Sequence, residues 1–142
     1  MGVLSDLVVA PAGDAERVAH AQVPSQTFGG VDIKGIDSVK FGTLHSILTG
    51  RPFEALLPEY EPVVTVSDDG PWVFRLPPEL VSGLAELGDA ERAKVTKRWA
   101  STEEFALDRW AEKDVADALG AIATLARKAN GSGQALFLWM CL

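Results

Sequence analysis

QALFLWMCL, residues 134–142, is an almost unbroken apolar run in an otherwise acidic chain, and where it goes decides the architecture. A helix crossing a bilayer needs about 20 apolar residues. This run has nine at most and follows the polar NGSG, so it does not span. A strand with one wet face alternates apolar and polar residues, whereas Leu136, Phe137, Leu138, Trp139 and Met140 are apolar at both parities. That pattern predicts a strand covered on both faces. Burial of its large side chains, at roughly 1.5–3 kcal/mol each, gives on the order of 10 kcal/mol of gross stabilisation. That matches the net stability of a whole domain, about 5–15 kcal/mol.

The upstream sequence supplies the covers. In residues 111–131, Val115, Leu119, Ile122 and Ala126 recur at steps of four, three and four with charges between them, and Gly131 follows as a stop. This predicts an amphipathic helix. STEEF, residues 101–105, has capping-box spacing, with Ser101 as cap and Glu104 reaching back. Asp89 is the expected cap of the segment before it, and Leu80, Leu84 and Leu87 form one stripe after Pro78. Residues 78–130 are therefore expected to be helical. PVVTVSDDGPWVFRLP, residues 62–77, predicts a hairpin around SDDGP with Trp72, Phe74 and Leu76 on one face. Short strands are expected in LSDLVVA and VDIKGI, a helix in residues 37–50 capped by Asp37 or Ser38, and a loop over residues 21–30. The sum is a single α+β domain, residues 1–142. Its mixed β-sheet ends in an apolar C-terminal strand covered by helices, and the helical stretch after the hairpin acts as the crossover.

Composition narrows the function classes. The 142 residues carry a formal net charge of -7, which disfavours a nucleic-acid partner, because that binding neutralises phosphates with Lys and Arg. Residues 1–87 hold twelve Asp and Glu against five Lys and Arg, whereas residues 88–142 hold eight of each, so the acidic excess lies in the first part. MGVLSDLVVA lacks the basic start of a secretion signal, and the cytoplasm is the expected compartment. No membrane partner is expected. Cys141, the single cysteine, is expected to be a buried, unreactive thiol.

Three stretches, read in order, carry a resemblance: Leu44, His45, Leu48, Thr49 and Gly50; then Pro78 and Glu79 after a strand; then Gly131 to Leu142 after a helix. Together they resemble the uncharacterised bacterial YfbM-like group of small proteins. The resemblance implies a small cytoplasmic α+β fold and implies no activity or catalytic residue.

The chemistry-bearing residues are few. His45 sits on the apolar stripe of its helix with Phe41, Leu44 and Leu48. It reads either as a ligand or general base in a cleft with Asp37, or as a core histidine bonded to the backbone. With two histidines and one cysteine, no zinc-ligand spacing is present, and no metal or cofactor is expected. FGGVDIKG lacks phosphate-loop spacing, and no G-x-S-x-G elbow occurs. His20 reads as a surface residue at a helix end. Trp99 and Trp110 read as core aromatics unless one helix carries both.

FEALLPEYEPVVTVSDD, residues 53–69, contains Glu54, Glu59, Glu61, Asp68 and Asp69, no Lys or Arg, and Tyr60 between two glutamates. This is either a solvated loop or a docking patch for a basic protein, with Tyr60 as its aromatic anchor. The expected function is thus a protein-binding or regulatory domain using Glu54, Glu59, Tyr60, Glu61, Asp68 and Asp69. The alternative is a small-molecule enzyme or ligand-binding protein using Asp37 and His45.

Overall fold

The structure is a computed structural model and describes residues 3–142. Five strands form one sheet in the order β2-β1-β5-β4-β3: β1 (Leu4–Ala10), β2 (Gly29–Asp32), β3 (Val64–Thr65), β4 (Trp72–Arg75) and β5 (Ala135–Cys141). Among the described residues eight α-helices accompany them: α1 (Ala15–His20), α2 (Pro24–Thr27), α3 (Ser38–Thr49), α4 (Phe53–Leu56), α5 (Pro78–Ala85), α6 (Asp89–Ala100), α7 (Glu103–Leu107) and α8 (Glu112–Ser132). The class is α+β.

The apolar run lies at the centre of the sheet, with β1 on one side and β4 on the other. Its two parities separate as a doubly covered strand requires. Leu136, Leu138 and Met140 join the main core with Leu7, Val9, Phe74 and the buried faces of α3, α5 and α8. Ala135, Phe137 and Trp139 face a thinner layer with Val8, Ala10, Val73, Val18 and Ala19. That thin layer is closed by α1 and α2, which bury only one side chain or a few each. Leu142 is left outside, 67% exposed, and Cys141 is only partly buried.

Every strand pairing is antiparallel, so the sheet is uniform and not mixed. Because β4 and β5 are antiparallel neighbours, the helices α5 to α8 make a return between adjacent strands and not a crossover. A single net reversal of direction leaves no need for one.

Local signals account for most boundaries. Asp37 caps α3 by accepting from the Lys40 amide at 2.9 Å, and Gly50 ends it at φ 75°, a left-handed conformation that glycine adopts without strain. The long helix α8 runs past the expected stop at Gly131 and ends at Gly133, φ 66°. Residues 21–30 are not simply a loop: Pro24 starts one helical turn, and β2 begins at Gly29. At Gly30 a Cβ would lie 2.2 Å from the Leu7 carbonyl oxygen, so β2 can approach β1 there only as glycine.

The capping box at Ser101 does not form. Ser101 Oγ donates to the Arg98 carbonyl at 2.7 Å and Thr102 Oγ1 to that of Trp99 at 2.6 Å, so both hydroxyls close the end of α6 and none opens α7. Similarly, Asp89 is the first residue of α6 and Gly88 takes the cap position. Trp99 is fully buried, donates to the Lys40 carbonyl at 2.9 Å and meets Phe105 edge to face at 4.8 Å. The buried Lys40 ammonium pairs with Asp108 and lies 5.5 Å from the Phe105 ring centre. These contacts tie α3 to α6 and to the turn between α7 and α8.

Candidate functional site

Of the residues singled out in the sequence, His45, Glu59 and Tyr60 meet in one polar cluster where α3, the 51–60 segment and α5 come together. His45 reaches it because the steps from Phe41 through Leu44 turn it inward, and it has no solvent exposure. Gly50 reverses the chain so that Arg51 returns beside the same helix, held by Ser46 Oγ donating to its carbonyl at 2.7 Å. Glu79 occupies the first turn of α5 behind Pro77 and Pro78, where a carboxylate suits the positive end of the helix.

The side chains form a continuous chain of hydrogen bonds. His45 Nδ1 lies 2.9 Å from the Tyr60 hydroxyl and Nε2 lies 2.7 Å from Glu79 Oε1. Arg51 donates to the same Glu79 oxygen at 2.7 Å and to Glu59 Oε2 at 2.9 Å. The hydrogen bond from His45, then that from Arg51, holds the Glu79 carboxyl below its ordinary value of 4.5. An ionised Glu79 is acceptor only, so Nε2 donates to it, while the Tyr60 hydroxyl meets Nδ1 and also lies 3.4 Å from the Phe41 carbonyl oxygen. Burial, reinforced by the charges of Glu59 and Glu79, pushes the Tyr60 hydroxyl far above its ordinary range, so it stays protonated.

This geometry satisfies the imidazole completely. Both nitrogens are engaged, and His45 lines neither the groove beside α8 nor the depression between α6 and α8. The cluster joins three segments, with its imidazole shut off from solvent. Asp37 is not part of it: it sits at the other end of α3, about 12 Å of helix rise away, and caps the helix.

The acidic segment divides. Tyr60 turns inward and Glu59 is paired with Arg51, so neither projects as an anchor. Glu54, Glu61, Asp68 and Asp69 are exposed and, among the described residues, lie within 4.0 Å of no cationic side chain. Between them stand Leu57, Val63 and Val66, exposed by 49%, 55% and 43%. The sequence alone does not mark these three as surface residues, because apolar residues beside a strand (Val63, Val66) or just after a short helix (Leu57) read as core until the fold is known. Glu79 and Arg51 were missed too, since partners 28 and 34 residues apart leave no local signal.

The cluster predicts an acid-dependent stability. Glu79 is an acid with a depressed value in the fold, so its contribution is present above about 4.5 and is lost as pH falls through the folded value. Glu79→Gln is expected to lower the urea midpoint at neutral pH and to flatten the loss of stability between 4.5 and lower pH. Parallel acid limbs for the two proteins would contradict the assignment.

His20, exposed at the end of α1, pairs loosely with Glu16 at 3.4 Å. Among the described residues no group of three His, Cys, Asp or Glu side chains is placed to hold a metal ion. Comparison with family models, curated proteins and solved structures gives no match to this chain.

Proposed function

We propose that this chain is a binding domain for a basic protein partner, engaged through the exposed part of residues 54–69. The observation that carries the reading is the surface itself: four carboxylates, Glu54, Glu61, Asp68 and Asp69, with no cationic side chain within 4.0 Å among the described residues, interleaved with exposed Leu57, Val63 and Val66. Unneutralised carboxylates speed encounter with a basic surface, and desolvated apolar side chains supply contact energy. In this reading Leu57, Val63 and Val66 take the anchoring role expected of Tyr60, while Tyr60, Glu59 and the His45 cluster brace the segment from beneath. The kinship with the YfbM-like group belongs to the same proposal and adds no activity to it. No helix of the described residues is long and apolar enough to cross a membrane. The compartment proposed is the cytoplasm.

Charge reversal tests it. Replacing Glu54, Glu61, Asp68 and Asp69 with Lys is expected to abolish capture of a partner identified by mass spectrometry, with the thermal midpoint nearly unchanged. Reversal of the exposed Asp114 is expected to leave capture intact. Equal capture by the quadruple variant overturns the proposal.

A further inference from the structure

The two edges of the sheet are built differently. β3 has two residues and follows Pro62, and short, proline-marked edges are how natural sheets avoid pairing with another chain. β2 has four residues, Gly29–Asp32, and carries neither Lys nor Pro. Its inner side is taken by β1: the Ile33 amide donates to the Ser5 carbonyl at 3.0 Å, so by antiparallel alternation the amides and carbonyls of Gly30 and Asp32 point outward. Val31 lies on the core side of the strand, opposite Leu7.

Helix α8 flanks this edge across a groove, with Val31 and Ile33 on the strand side and Ala118 and Ala121 on the helix side. Asp114, Ala121 and Lys128 recur every seven residues, so they lie close to one line along the helix, which drifts by only about 20° per heptad. The Lys128 ammonium lies over Gly29, in the place a Cβ there would take. Asp114, about 21 Å back along the helix, lines the groove with Ile33 and Lys34 at the other end of the strand. The charges facing the groove leave one acid in excess. Among the described residues Asp32, Asp114 and Asp117 make no ion pair within 4.0 Å, against Lys34 and Arg109 in the same state, while Asp108 is held by Lys40. Lys128 likewise makes no ion pair, and it stands at the far end.

We infer that a second copy of this chain docks on this edge, with β2 antiparallel to its counterpart about a two-fold axis at Val31, so that the sheet continues from one copy into the other. Directly opposed residues of an antiparallel pair share a face, so core-side residues must oppose core-side residues. The register centred on Val31 obeys that rule. It sets Val31 against the other copy's Val31, and it lets the outward groups of Gly30 and Asp32 exchange hydrogen bonds without opposing two aspartates. Gly29 then meets the other copy's Ile33, which brings each Lys128 to the Asp114 end of the opposite groove. Three carboxylates there face Lys34, Arg109 and the incoming Lys128, so the acid excess of one copy is neutralised by the other. Ala121, halfway between Asp114 and Lys128, keeps the middle of the contact free of bulk. A closed two-fold pair of this kind is self-complementary and leaves neither β2 edge open. The acidic segment adjoins β3 at the opposite edge, so this inference stands without the basic partner.

Sedimentation equilibrium tests it. The parent chain is expected at twice the monomer mass at about 100 µM, and Asp114→Lys or Lys128→Glu, each of which opposes like charges at both ends, should weaken association about tenfold or more. An equimolar mixture of the two variants should recover the dimer, because each supplies the sign the other lacks. Misfolding of either variant does not produce that recovery. In the parent at about 100 µM the Gly30 and Asp32 amides should exchange slowly with solvent deuterium, and in Lys128→Glu rapidly. A parent that stays monomeric at about 500 µM, a single variant as dimeric as the parent, a mixture that stays monomeric, or rapid exchange at Gly30 and Asp32 in the associated chain overturns the inference.

Discussion

Removal of residues 134–142 is expected to abolish cooperative unfolding. Strand β5 pairs with β1 along seven positions and with β4 along four, so its loss divides the sheet into the pairs β2–β1 and β4–β3. Two-stranded fragments are marginal in water on their own. The deletion also uncovers the buried sides of Leu7, Val9, Phe74 and α8. Burial on the order of 10 kcal/mol is lost, against a net stability of about 5–15 kcal/mol. The truncated chain should retain helical far-ultraviolet dichroism, lose near-ultraviolet signal and bind an apolar dye. A sharp thermal transition in the truncation would contradict the central placement of β5.

Trp99→Ala is expected to be the most damaging single substitution. The side chain is fully buried, donates to the Lys40 carbonyl and packs on Phe105, so its removal leaves a cavity where α3, α6 and α7 meet. Such truncations cost about 3–5 kcal/mol. In a domain of this size that lowers Tm by on the order of 10 °C or more. Trp99→Phe keeps an aromatic ring beside Phe105 and loses the indole bond and part of the ring volume, a smaller cost than alanine, because Thr43 Oγ1 also donates to the Lys40 carbonyl at 2.8 Å. Similar midpoints for the alanine variant and the parent would remove Trp99 from the structural centre.

The contrast between the acidic segment and the His45 cluster shows where sequence reasoning stops. That residues 54–69 are acidic is visible at once, but which of those carboxylates remain free depends on Arg51 and Glu79 arriving from either side. Tyr60, flanked by glutamates, has the composition of a surface anchor. Its hydroxyl finds His45 fifteen residues away, and the ring follows it inward. Likewise the Ser101 capping pattern competes with two carbonyls at the end of α6, and nearer acceptors win.

From its residues alone this chain determines the doubly covered strand within 134–142, the hairpin around SDDGP, the stripes of α5 and α8, and the glycine-terminated α3. Each of these depends on side-chain parity, helical spacing or a local turn, interactions that close within a few residues. Only the tertiary structure decides that β5 lies between β1 and β4, that every pairing is antiparallel, and that Glu79 meets His45. It also decides that loop cations and helix carboxylates share one groove. Those relations join positions far apart in the chain, and they are set by how whole faces pack against one another, which no local pattern encodes.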